Sequence, residues 1–490
     1  MKTISLLITI FLTLTIHSQH TTTFEWPKNE ITPIFKEFVT AFNQNKLSDF
    51  TKTHYATDPK KNASYWRGVF SEYGQITPFQ ISKEWTKKNR LAIWFQGVYT
   101  KDWVMIVLKM DTENIKIIGK TVVRGMRPKH ASTTTTPNIK IKPYLKAYLN
   151  KLSTLDRFSG TVLVAKGNII LFNKTYGKSD LKNNRNNSAK TSFNIASTTK
   201  VFTSVAIAQL AEQGKLKFTD PIRKFIPEYP KDIANQVTIH HLLTHTSGIE
   251  LDDYPPFNNA VSQAISMNDL LRVQLKYIDS MNNNRRLNFK VLNKYDYSNE
   301  NYALLGVIIE RASNKTYANY LEEHIFKPLK MKNSYANISR TFNNKNIAFG
   351  YSNRNAKGEF VAGIRNKSPK MIPNFIDPFG GVYSNSKDLY TFDKAINNAK
   401  IINKKTQDIL QKEHVKIFEW NEEKQHYGYG FSIAQNNLTT SIGHSGVVNG
   451  NGSRFEYYPK SDYYVIVLSN YGSMAGNVIA NHIRDIISSK

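Results

Sequence analysis

Runs of hydrophobic and polar residues divide the chain into several blocks, and the first block is almost entirely apolar. After Met1 and Lys2, residues 4–16 form a nearly unbroken apolar run, which is typical of a secretory signal peptide, and we expect cleavage near Ser18. So short a run cannot span a bilayer, and no later stretch contains about eighteen uncharged apolar residues in succession. The pattern predicts a periplasmic or secreted protein with a signal peptide at residues 1–18 and no transmembrane segment after its removal.

A second block, residues 24–127, combines a helical pattern with strand-like runs. Apolar residues recur at helical spacing from Ile34 to Phe42, and the runs 91–99, 103–110 and 115–123 have the character of strands. We predict a small α+β domain here. Its outline, a helical start followed by a curved sheet, resembles the nuclear transport factor 2-like cone fold. No paired acids or histidine–aspartate spacing stands out inside this block, so we expect an accessory or packing domain.

A polar, threonine-rich segment at residues 128–138 predicts a linker, and residues 139–490 form a larger unit. This unit begins and ends with helical patterns, at 144–152 and 478–487. Two groups of predicted strands lie between them, separated by a long, mostly helical stretch: 160–165 and 169–172, then 431–434, 440–443, 454–458 and 463–468. The order predicts an α+β fold, in which an antiparallel sheet built from both chain ends is flanked by the terminal helices and carries a helical insertion.

The first candidate for chemistry is a serine and a lysine three residues apart, Ser197 and Lys200. They stand at the start of a helical segment that has no charged residue from Val201 to Ala211. Residues three apart share a helix face, so the hydroxyl and the amine should be close. Burial of this helix would desolvate the lysine and favour a neutral amine that can act as a base. Backbone N–H groups converge where the helix starts, which predicts a nucleophile beside part of an oxyanion hole.

The same spacing occurs at Ser179 and Lys182, so the pair alone is weakly specific. That second pair lies in a polar stretch without a helical apolar face, which predicts a loop. The assignment of Ser197 therefore depends on two further motifs.

Tyr297 is the candidate for a proton relay. It belongs to the string Tyr297–Asn299, which leads into a buried helical run from Tyr302, so its phenol should be held with little freedom. Other tyrosine-x-asparagine strings occur in the chain, and position between the nucleophile helix and the terminal strands distinguishes this one. The alternative interpretation is a surface tyrosine beside an asparagine turn.

His444, Ser445 and Gly446 are the candidates for a strand edge against which a substrate can lie. They precede glycine-rich turns and two strong predicted strands, whereas the competing His426 precedes the entry to a strand. Gly446 lets a substrate approach the backbone closely. The amide of Val447 is then the expected second oxyanion donor, beside that of the nucleophile.

Two other interpretations are weaker. His241 and His245 are four residues apart, but no neighbouring glutamate or third ligand accompanies them, and a helix end is the simpler explanation. The formal net charge of +28 could indicate nucleic-acid binding, but the lysines are scattered, without basic blocks or stacking aromatics. We expect a small-molecule or peptide substrate, no metal, no cofactor and no nucleic-acid partner.

Together, the motifs of the large unit resemble the serine β-lactamase-related family, which includes class C β-lactamases, D-alanyl-D-alanine carboxypeptidases, D-aminopeptidases and family VIII esterases. The resemblance covers nearly all of residues 158–468. The motifs that carry it are Phe158–Val164, the helix of Ser197 and Lys200, Gln213–Leu216 with Asp220–Pro221, Leu242–Gly248, Tyr297–Asn299, Pro328–Leu329 with Met331, Gly380–Ser384 and His444–Gly446. It implies a β-lactamase/DD-peptidase-like fold and an exported serine hydrolase.

The resemblance also implies residue roles. Ser197 would attack a carbonyl and form an acyl-enzyme, Lys200 and Tyr297 would share the general-base role, and Asn299 would bond a substrate amide. His444 stands where true β-lactamases have the lysine of a lysine-threonine-glycine strand. Because histidine is mostly neutral at pH 7, carboxylate recognition should weaken. This departure favours an ester, an amide or a D-amino-acid peptide over efficient penicillin hydrolysis.

Several alternatives stay open on the sequence alone. They are an esterase, a D-peptidase or a weak β-lactamase and, from another class, a penicillin-binding or sensing protein with little turnover. The presence of serine, lysine, tyrosine and histidine together argues against the sensor. A Pro-Gly pair is missing before the tyrosine loop, where residues 287–296 are polar and irregular, so the rim of the pocket has no predicted shape. The oligomeric state and the principal base are also open.

Overall fold

The computed structural model describes residues 24–111, 113–128, 131, 140–249, 263–283, 291, 294–336, 346–352, 365–367, 377–420, 423–448, 450–472 and 475–488. The expected signal peptide and most of the expected linker lie outside these ranges. The domain boundaries drawn from the sequence stay predictions. In the described part of the chain, no helix is long and apolar enough to cross a membrane.

The amino-terminal unit consists of helices packed on an antiparallel sheet. Its elements are α1 (Ile31–Asn43), α2 (Leu47–His54), α3 (Pro59–Tyr73), β1 (Ile76–Ile81), β2 (Arg90–Gly97), β3 (Trp103–Asp111) and β4 (Lys116–Arg124). Each strand pairs with the next along the chain. Strand β1 was not predicted, because Pro78 and Gln80 interrupt its apolar pattern. The resemblance to the nuclear transport factor 2-like fold stays a prediction.

The larger unit follows the predicted order of helix, strands, helical insertion, strands and helix. Its elements are α4 (Ile141–Thr154), β5 (Gly160–Lys166), β6 (Ile169–Tyr176), β7 (Lys178–Asp180), β8 (Arg185–Asn186), β9 (Phe193–Asn194), α5 (Thr199–Glu212), α6 (Lys231–Ala234), α7 (Ile239–Leu243), α8 (Met267–Asn283), α9 (Asn299–Ser313), α10 (Tyr317–Leu321), β10 (Tyr351–Ser352), β11 (Asn366–Lys367), β12 (Tyr383–Ser384), α11 (Ser386–Asn397), α12 (Lys404–Leu410), β13 (Val415–Trp420), β14 (Glu423–Tyr427), β15 (Ser432–Gln435), β16 (Thr440–Val448), β17 (Asn451–Tyr458), β18 (Tyr463–Ser469) and α13 (Ala475–Ser488). Short helical turns lie at Ala196–Thr198, Ile222–Lys224 and Glu322–Phe326.

The main sheet has eight antiparallel strands in the order β13-β14-β15-β16-β17-β18-β5-β6. Strands from the two ends of the unit meet where β18 pairs with β5, with Leu163 opposite Ile466. Because side chains alternate along a strand, Val162 faces helices α4 and α13, whereas Leu163 faces the helical insertion. This arrangement confirms the predicted α+β fold class.

Two features of the sheet differ from the sequence expectation. Strands β13 and β14 were not predicted, because charged and exposed residues break their apolar pattern. Strand β16 was expected to end at Gly443 but continues to Val448. The candidate edge residues His444, Ser445 and Gly446 therefore lie within this strand.

Helix α5 forms the centre of the helical insertion. Nearly every residue from Thr199 to Leu210 is buried, as expected for a helix that is apolar on all sides. It packs against α9, where the Tyr302 hydroxyl lies 3.3 Å from Ser204 Oγ. The burial of this helix places the side chain of Lys200 inside the protein.

The two units contact each other along the sheet and its flanking helices. The Tyr148 hydroxyl of α4 donates to the backbone oxygen of Thr100 at 2.8 Å. The rings of Trp94 and Trp420 stack at 5.8 Å between centroids, which joins β2 to β13. These contacts agree with a packing role for the amino-terminal unit.

Candidate active site

The proposed nucleophile lies in a turn whose backbone is bonded on both sides. Ala196 has a φ of +47°, in the left-handed region, which costs a non-glycine residue about 1–2 kcal/mol. Its N–H donates to Asn194 Oδ1 at 2.7 Å, and the preceding Ile195 carbonyl accepts from Ser453 Oγ at 2.6 Å. These bonds hold the strained turn and fix the position of Ser197 at the start of α5.

Lys200 is completely buried, and its side-chain nitrogen has three polar contacts. The Nζ atom lies 3.3 Å from Ser197 Oγ, 2.7 Å from Asn299 Oδ1 and 3.0 Å from the carbonyl oxygen of Phe379. The Asn299 and Phe379 oxygens only accept, whereas the Ser197 hydroxyl can accept or donate. The arrangement brings the first predicted pair, Ser197 and Lys200, together with Asn299 from the distant α9.

Tyr297 lies beside this lysine at the mouth of the site. Lys200 Nζ is 4.7 Å from the centroid of the phenol ring, within the range of a cation–π contact. The side chain is 37% exposed, so a bound molecule can reach it. Its ring also stacks on the imidazole of His245, with centroids 4.4 Å apart.

His444 is buried beneath the strand edge, and both of its ring nitrogens are bonded within the protein. Nδ1 lies 2.5 Å from the carbonyl oxygen of Ser445, which only accepts, so this nitrogen carries the proton. Nε2 is then the acceptor of a 2.9 Å hydrogen bond from the Tyr427 hydroxyl. Burial, followed by the charge of Lys200, lowers the pKa of His444 to about 3. The imidazole is therefore neutral at physiological pH.

Gly446 lies tightly against the nucleophile turn. A Cβ atom built on it would lie 2.1 Å from the carbonyl oxygen of Ile195 and 2.9 Å from the amide nitrogen of Ser197. Only glycine fits this position. Its neighbour Val447 is 43% exposed, and Ser445 is half-buried opposite Arg454 of β17.

Beyond Gly443, strand β16 has an open edge. Its pairing with β15 ends where Ser432 meets Gly443, while its pairing with β17 continues to Val448. Within the described ranges no strand lies against His444–Val448 on the β15 side. An extended substrate can therefore add to this edge, as peptides do at exposed sheet edges.

A buried carboxyl group lies behind Lys200. Asp377 Oδ1 accepts from the amide of Phe379 at 3.1 Å, which shapes the turn that offers its carbonyl to Lys200. Burial raises the pKa of Asp377 to about 6, although the backbone amides and Lys200 oppose this shift. This carboxyl group and the Phe379 carbonyl had no signal in the sequence analysis.

The histidines that were weighed as metal ligands have other partners. His241 Nδ1 bonds the backbone of Thr238 at 3.1 Å and caps the short helix α7. His245 turns towards the site, where its Nδ1 accepts from the Ser298 amide at 3.0 Å. Across the described residues, no cluster of three potential ligands could hold a metal ion. Sequence analysis missed the place of His245 and of Tyr427 in the site.

Comparison with known proteins identifies the family to which this chain belongs. The family model described as Beta-lactamase matches residues 145–486. The chain therefore belongs to the beta-lactamase family, as the sequence motifs indicated.

Individual relatives agree with this assignment. The chain is 30% identical over 343 residues to the Bacillus subtilis (strain 168) protein named "Putative penicillin-binding protein PbpX", over 69% of this chain and 75% of that protein. It is 28% identical to Protein flp of Staphylococcus aureus (strain MW2), over 66% of this chain and 62% of flp. A penicillin binding protein structure from Bacillus halodurans superposes with a TM-score of 0.57 at 27% identity, covering 68% of this chain and 97% of that one.

Proposed function

We propose that the protein is an exported serine hydrolase that cleaves an ester or amide bond, including D-amino-acid peptide bonds, through an acyl-enzyme on Ser197. The observation that carries the proposal is the 3.3 Å contact between Ser197 Oγ and Lys200 Nζ, with Nζ also held by Asn299. A hydroxyl, a positioned amine and an open strand edge meet at one place. These are the parts that acyl transfer needs.

The reaction proceeds in two steps. In the first, Ser197 Oγ attacks the carbonyl carbon while its proton passes to the base, and the amides of Ser197 and Val447 bind the oxyanion. The bond to the leaving group then breaks, and the base returns the proton to the departing alcohol or amine. In the second step, a water molecule attacks the acyl-enzyme, its proton passes through the same base, and Ser197 regains its hydroxyl.

Lys200 and Tyr297 share the role of base in this proposal. To accept the serine proton, Lys200 must be a neutral amine that donates to Asn299 and Phe379 and directs its lone pair at Ser197. The observed contacts fit that geometry. Asn299 and Phe379 can accept the two protons of a neutral amine, which leaves the lone pair for Ser197. Tyr297 lies beside Lys200, with Nζ 4.7 Å from the centroid of the phenol ring, which supports a shared role in proton transfer.

The neutral state of His444 supports a substrate without a required carboxylate. The strand position that holds a lysine in true β-lactamases here carries a buried imidazole whose Nε2 is occupied by Tyr427. On the neighbouring strand, Arg454 Nε is bonded to Glu456 at 2.9 Å. Neither group offers a free positive charge to a carboxylate. We propose that His444 orients the strand edge and that Ser445, Gly446 and Val447 bind the substrate backbone.

A penicillin-binding or sensing protein with little turnover is the second candidate. It is favoured by the name of the relative PbpX, which describes a penicillin-binding protein. The two candidates differ in deacylation. A protein that only senses would be acylated once per molecule and would release product very slowly.

The test uses a fluorophosphonate probe, which reacts with an activated serine. We expect the wild-type protein to be labelled and Ser197→Ala to lose labelling completely. Ser179→Ala is the matched control, because Ser179 has the same spacing to a lysine but is bonded to Arg185 at 2.8 Å. Labelling that survives in Ser197→Ala would place the nucleophile elsewhere.

A panel of a p-nitrophenyl ester, nitrocefin and a D-alanyl dipeptide then separates the candidates. Continuous release of p-nitrophenol would support the hydrolase. A single stoichiometric burst with nitrocefin, followed by no further product, would support the sensor. Efficient nitrocefin turnover would contradict the argument from the neutral His444.

Export is a separate part of the proposal and depends on the apolar run at residues 4–16, outside the described residues. The expected result is a mature amino terminus near Ser18 or Gln19 after expression in a bacterium. Amino-terminal sequencing of the protein recovered outside the cytoplasm checks it. An unprocessed protein retained in the cytoplasm would contradict the proposed export but not the proposed hydrolase activity.

A further inference from the structure

We infer that His245 is a positioning residue for Tyr297, holding the loop that presents the phenol to the nucleophile. The inference rests on the proposed function, because it assigns a role within the same site. His245 does not touch Ser197 in the structure, so its effect has to pass through Tyr297. Its position in the sequence, far from both motifs, gave no sign of this role.

The two residues that flank Tyr297 are both bonded to His245. The amide of Asp296 donates to the carbonyl oxygen of His245 at 2.8 Å. The amide of Ser298 donates to His245 Nδ1 at 3.0 Å. One residue thus fixes the backbone immediately before and immediately after the phenol.

The imidazole also supports the phenol ring directly. The two rings stack with centroids 4.4 Å apart and an interplanar angle of 30°. Tyr297 is 37% exposed, and its other ring contacts are Lys200 Nζ at 4.7 Å and the Tyr295 ring at 6.4 Å. Loss of the imidazole would therefore free both the backbone and the ring of Tyr297.

His245 itself is held firmly. Its φ of +58° is in the left-handed region, just after α7, and its side chain is completely buried. The imidazole lies 5.1 Å from the Tyr302 ring and 5.0 Å from the Tyr427 ring, measured between centroids. Two residues on, Ser247 Oγ donates to Asn301 Oδ1 at 2.6 Å, which ties the segment to the first turn of α9. A firmly held residue can position an exposed neighbour.

The hydrogen bond from the Ser298 amide shows which ring nitrogen of His245 is the acceptor. An amide N–H only donates, so Nδ1 must be the unprotonated nitrogen and the ring proton is on Nε2. Among the described residues, Nε2 has no hydrogen-bond partner. Burial, followed by the charge of Lys200 and by His444, holds the pKa of His245 well below its ordinary value, so Nδ1 remains an acceptor. Asparagine can place an oxygen near Nδ1, whereas glutamine places its oxygen near Nε2.

The test compares His245→Ala, His245→Asn and His245→Gln. We expect His245→Ala to lower kcat for a p-nitrophenyl ester by roughly tenfold to a hundredfold with a smaller change in KM, since misplacement by about 1 Å costs up to a hundredfold. His245→Asn should recover most of the loss and His245→Gln should not. Equal loss in all three variants would overturn the role assigned to Nδ1.

A double-mutant cycle with Tyr297→Phe decides whether the effect passes through the phenol. If it does, His245→Ala should lower kcat by less than about threefold when Tyr297 is already phenylalanine. Multiplication of the two single effects would overturn the inference. Hydrogen exchange of the Asp296 and Ser298 amides gives a readout without activity, and we expect faster exchange in His245→Ala than in His245→Asn.

His482→Asn is the control for the loss of a buried imidazole. His482 is equally buried, and its Nε2 lies 3.0 Å from the Tyr144 hydroxyl on the far side of the sheet. This variant should lose stability but keep the kcat of the folded protein. A wild-type protein that is not labelled at Ser197 would refute the proposed function, whereas amide exchange unchanged in His245→Ala would refute the positioning role.

Discussion

The two sides of the cleft are built in different ways. On one side, Ser197 comes from the turn Ala196–Thr198 and Lys200 from the first turn of α5, and hydrogen bonds to an amide oxygen and a backbone oxygen hold Lys200. On the other side, the rings of His245, Tyr297 and Tyr427 come from three distant segments and pack on one another. The first side supplies a nucleophile and a proton acceptor. The second side supplies shape and the phenol of Tyr297, which shares the proton transfer in the proposed function, and its histidine is neutral.

The charge on the first side helps to keep the second side neutral. Lys200 is buried, and in its protonated form its charge adds to the effect of burial in lowering the pKa values of both His444 and His245. A second cation in the same low-dielectric space would be repelled. A neutral His444 on strand β16 therefore avoids repulsion with the buried Lys200.

The largest expected effect is that of Lys200→Ala, which removes the charged side of this comparison. We expect the rate of ester hydrolysis to fall by at least about a hundredfold, the usual scale for the loss of a positioned base. Steady-state kinetics with a p-nitrophenyl ester measure it. Lys182→Ala is the matched control, because Lys182 is the exposed lysine of the second serine–lysine pair.

The outcome of this experiment also shows whether Lys200 or Tyr297 is the principal base. A near-wild-type rate in Lys200→Ala would remove the lysine from the mechanism and leave Tyr297 as the base. The base would then belong to the second side of the cleft, with Tyr297, and not to the first side, with Lys200. A loss in Lys182→Ala as large as in Lys200→Ala would show that general destabilisation explains both.

The next effect concerns the neutral side and appears in stability at acid pH. The pKa of His444 is lowered from 6.5 to about 3, so the unfolded chain binds a proton below about pH 6.5 that the folded protein does not. Stability from this residue is therefore present at neutral pH and is lost as the pH falls. At about pH 5 the loss is on the order of 2 kcal/mol.

His444→Gln isolates this contribution, because glutamine does not titrate. Urea unfolding of both proteins at about pH 7.5 and about pH 5 measures the difference in stability. The wild-type protein should lose more stability than the variant on acidification, by on the order of 2 kcal/mol. Equal losses would mean that the imidazole is protonated in the folded protein, and the argument against carboxylate recognition would fail.

The same contrast explains what the sequence could predict. Ser197 and Lys200 were predicted because their relation is local, one helical turn in a segment without other charges. Gly446 was proposed for the close approach of a substrate, whereas the structure shows that a side chain there would collide with the nucleophile turn. The α+β order of elements followed from the periodicity of apolar residues. Local patterns carried these predictions.

The parts that were missed depend on contacts between distant segments. Phe379 contributes a backbone carbonyl, which has no signature in the side-chain pattern. Tyr427 is one of 26 tyrosines, and nothing near it in sequence marks its bond to His444. His245 was interpreted as a helix end, since its partner Ser298 is 53 residues further along the chain. Such contacts are fixed by packing and not by spacing.

The smallest expected effect is that of Tyr427→Phe, which tests how the neutral side is held. The change removes the hydroxyl that donates to His444 Nε2 at 2.9 Å and leaves the ring in place. We expect a loss of about 1 kcal/mol in the free energy of unfolding, the usual net value of one hydrogen bond. Tyr295→Phe is the control, since the Tyr295 ring lies 5.3 Å from that of Tyr427 and its hydroxyl has no hydrogen bond within the described ranges. If Tyr295→Phe costs as much as Tyr427→Phe, then ring packing and not the hydroxyl orients His444, and the strand edge is held by shape alone.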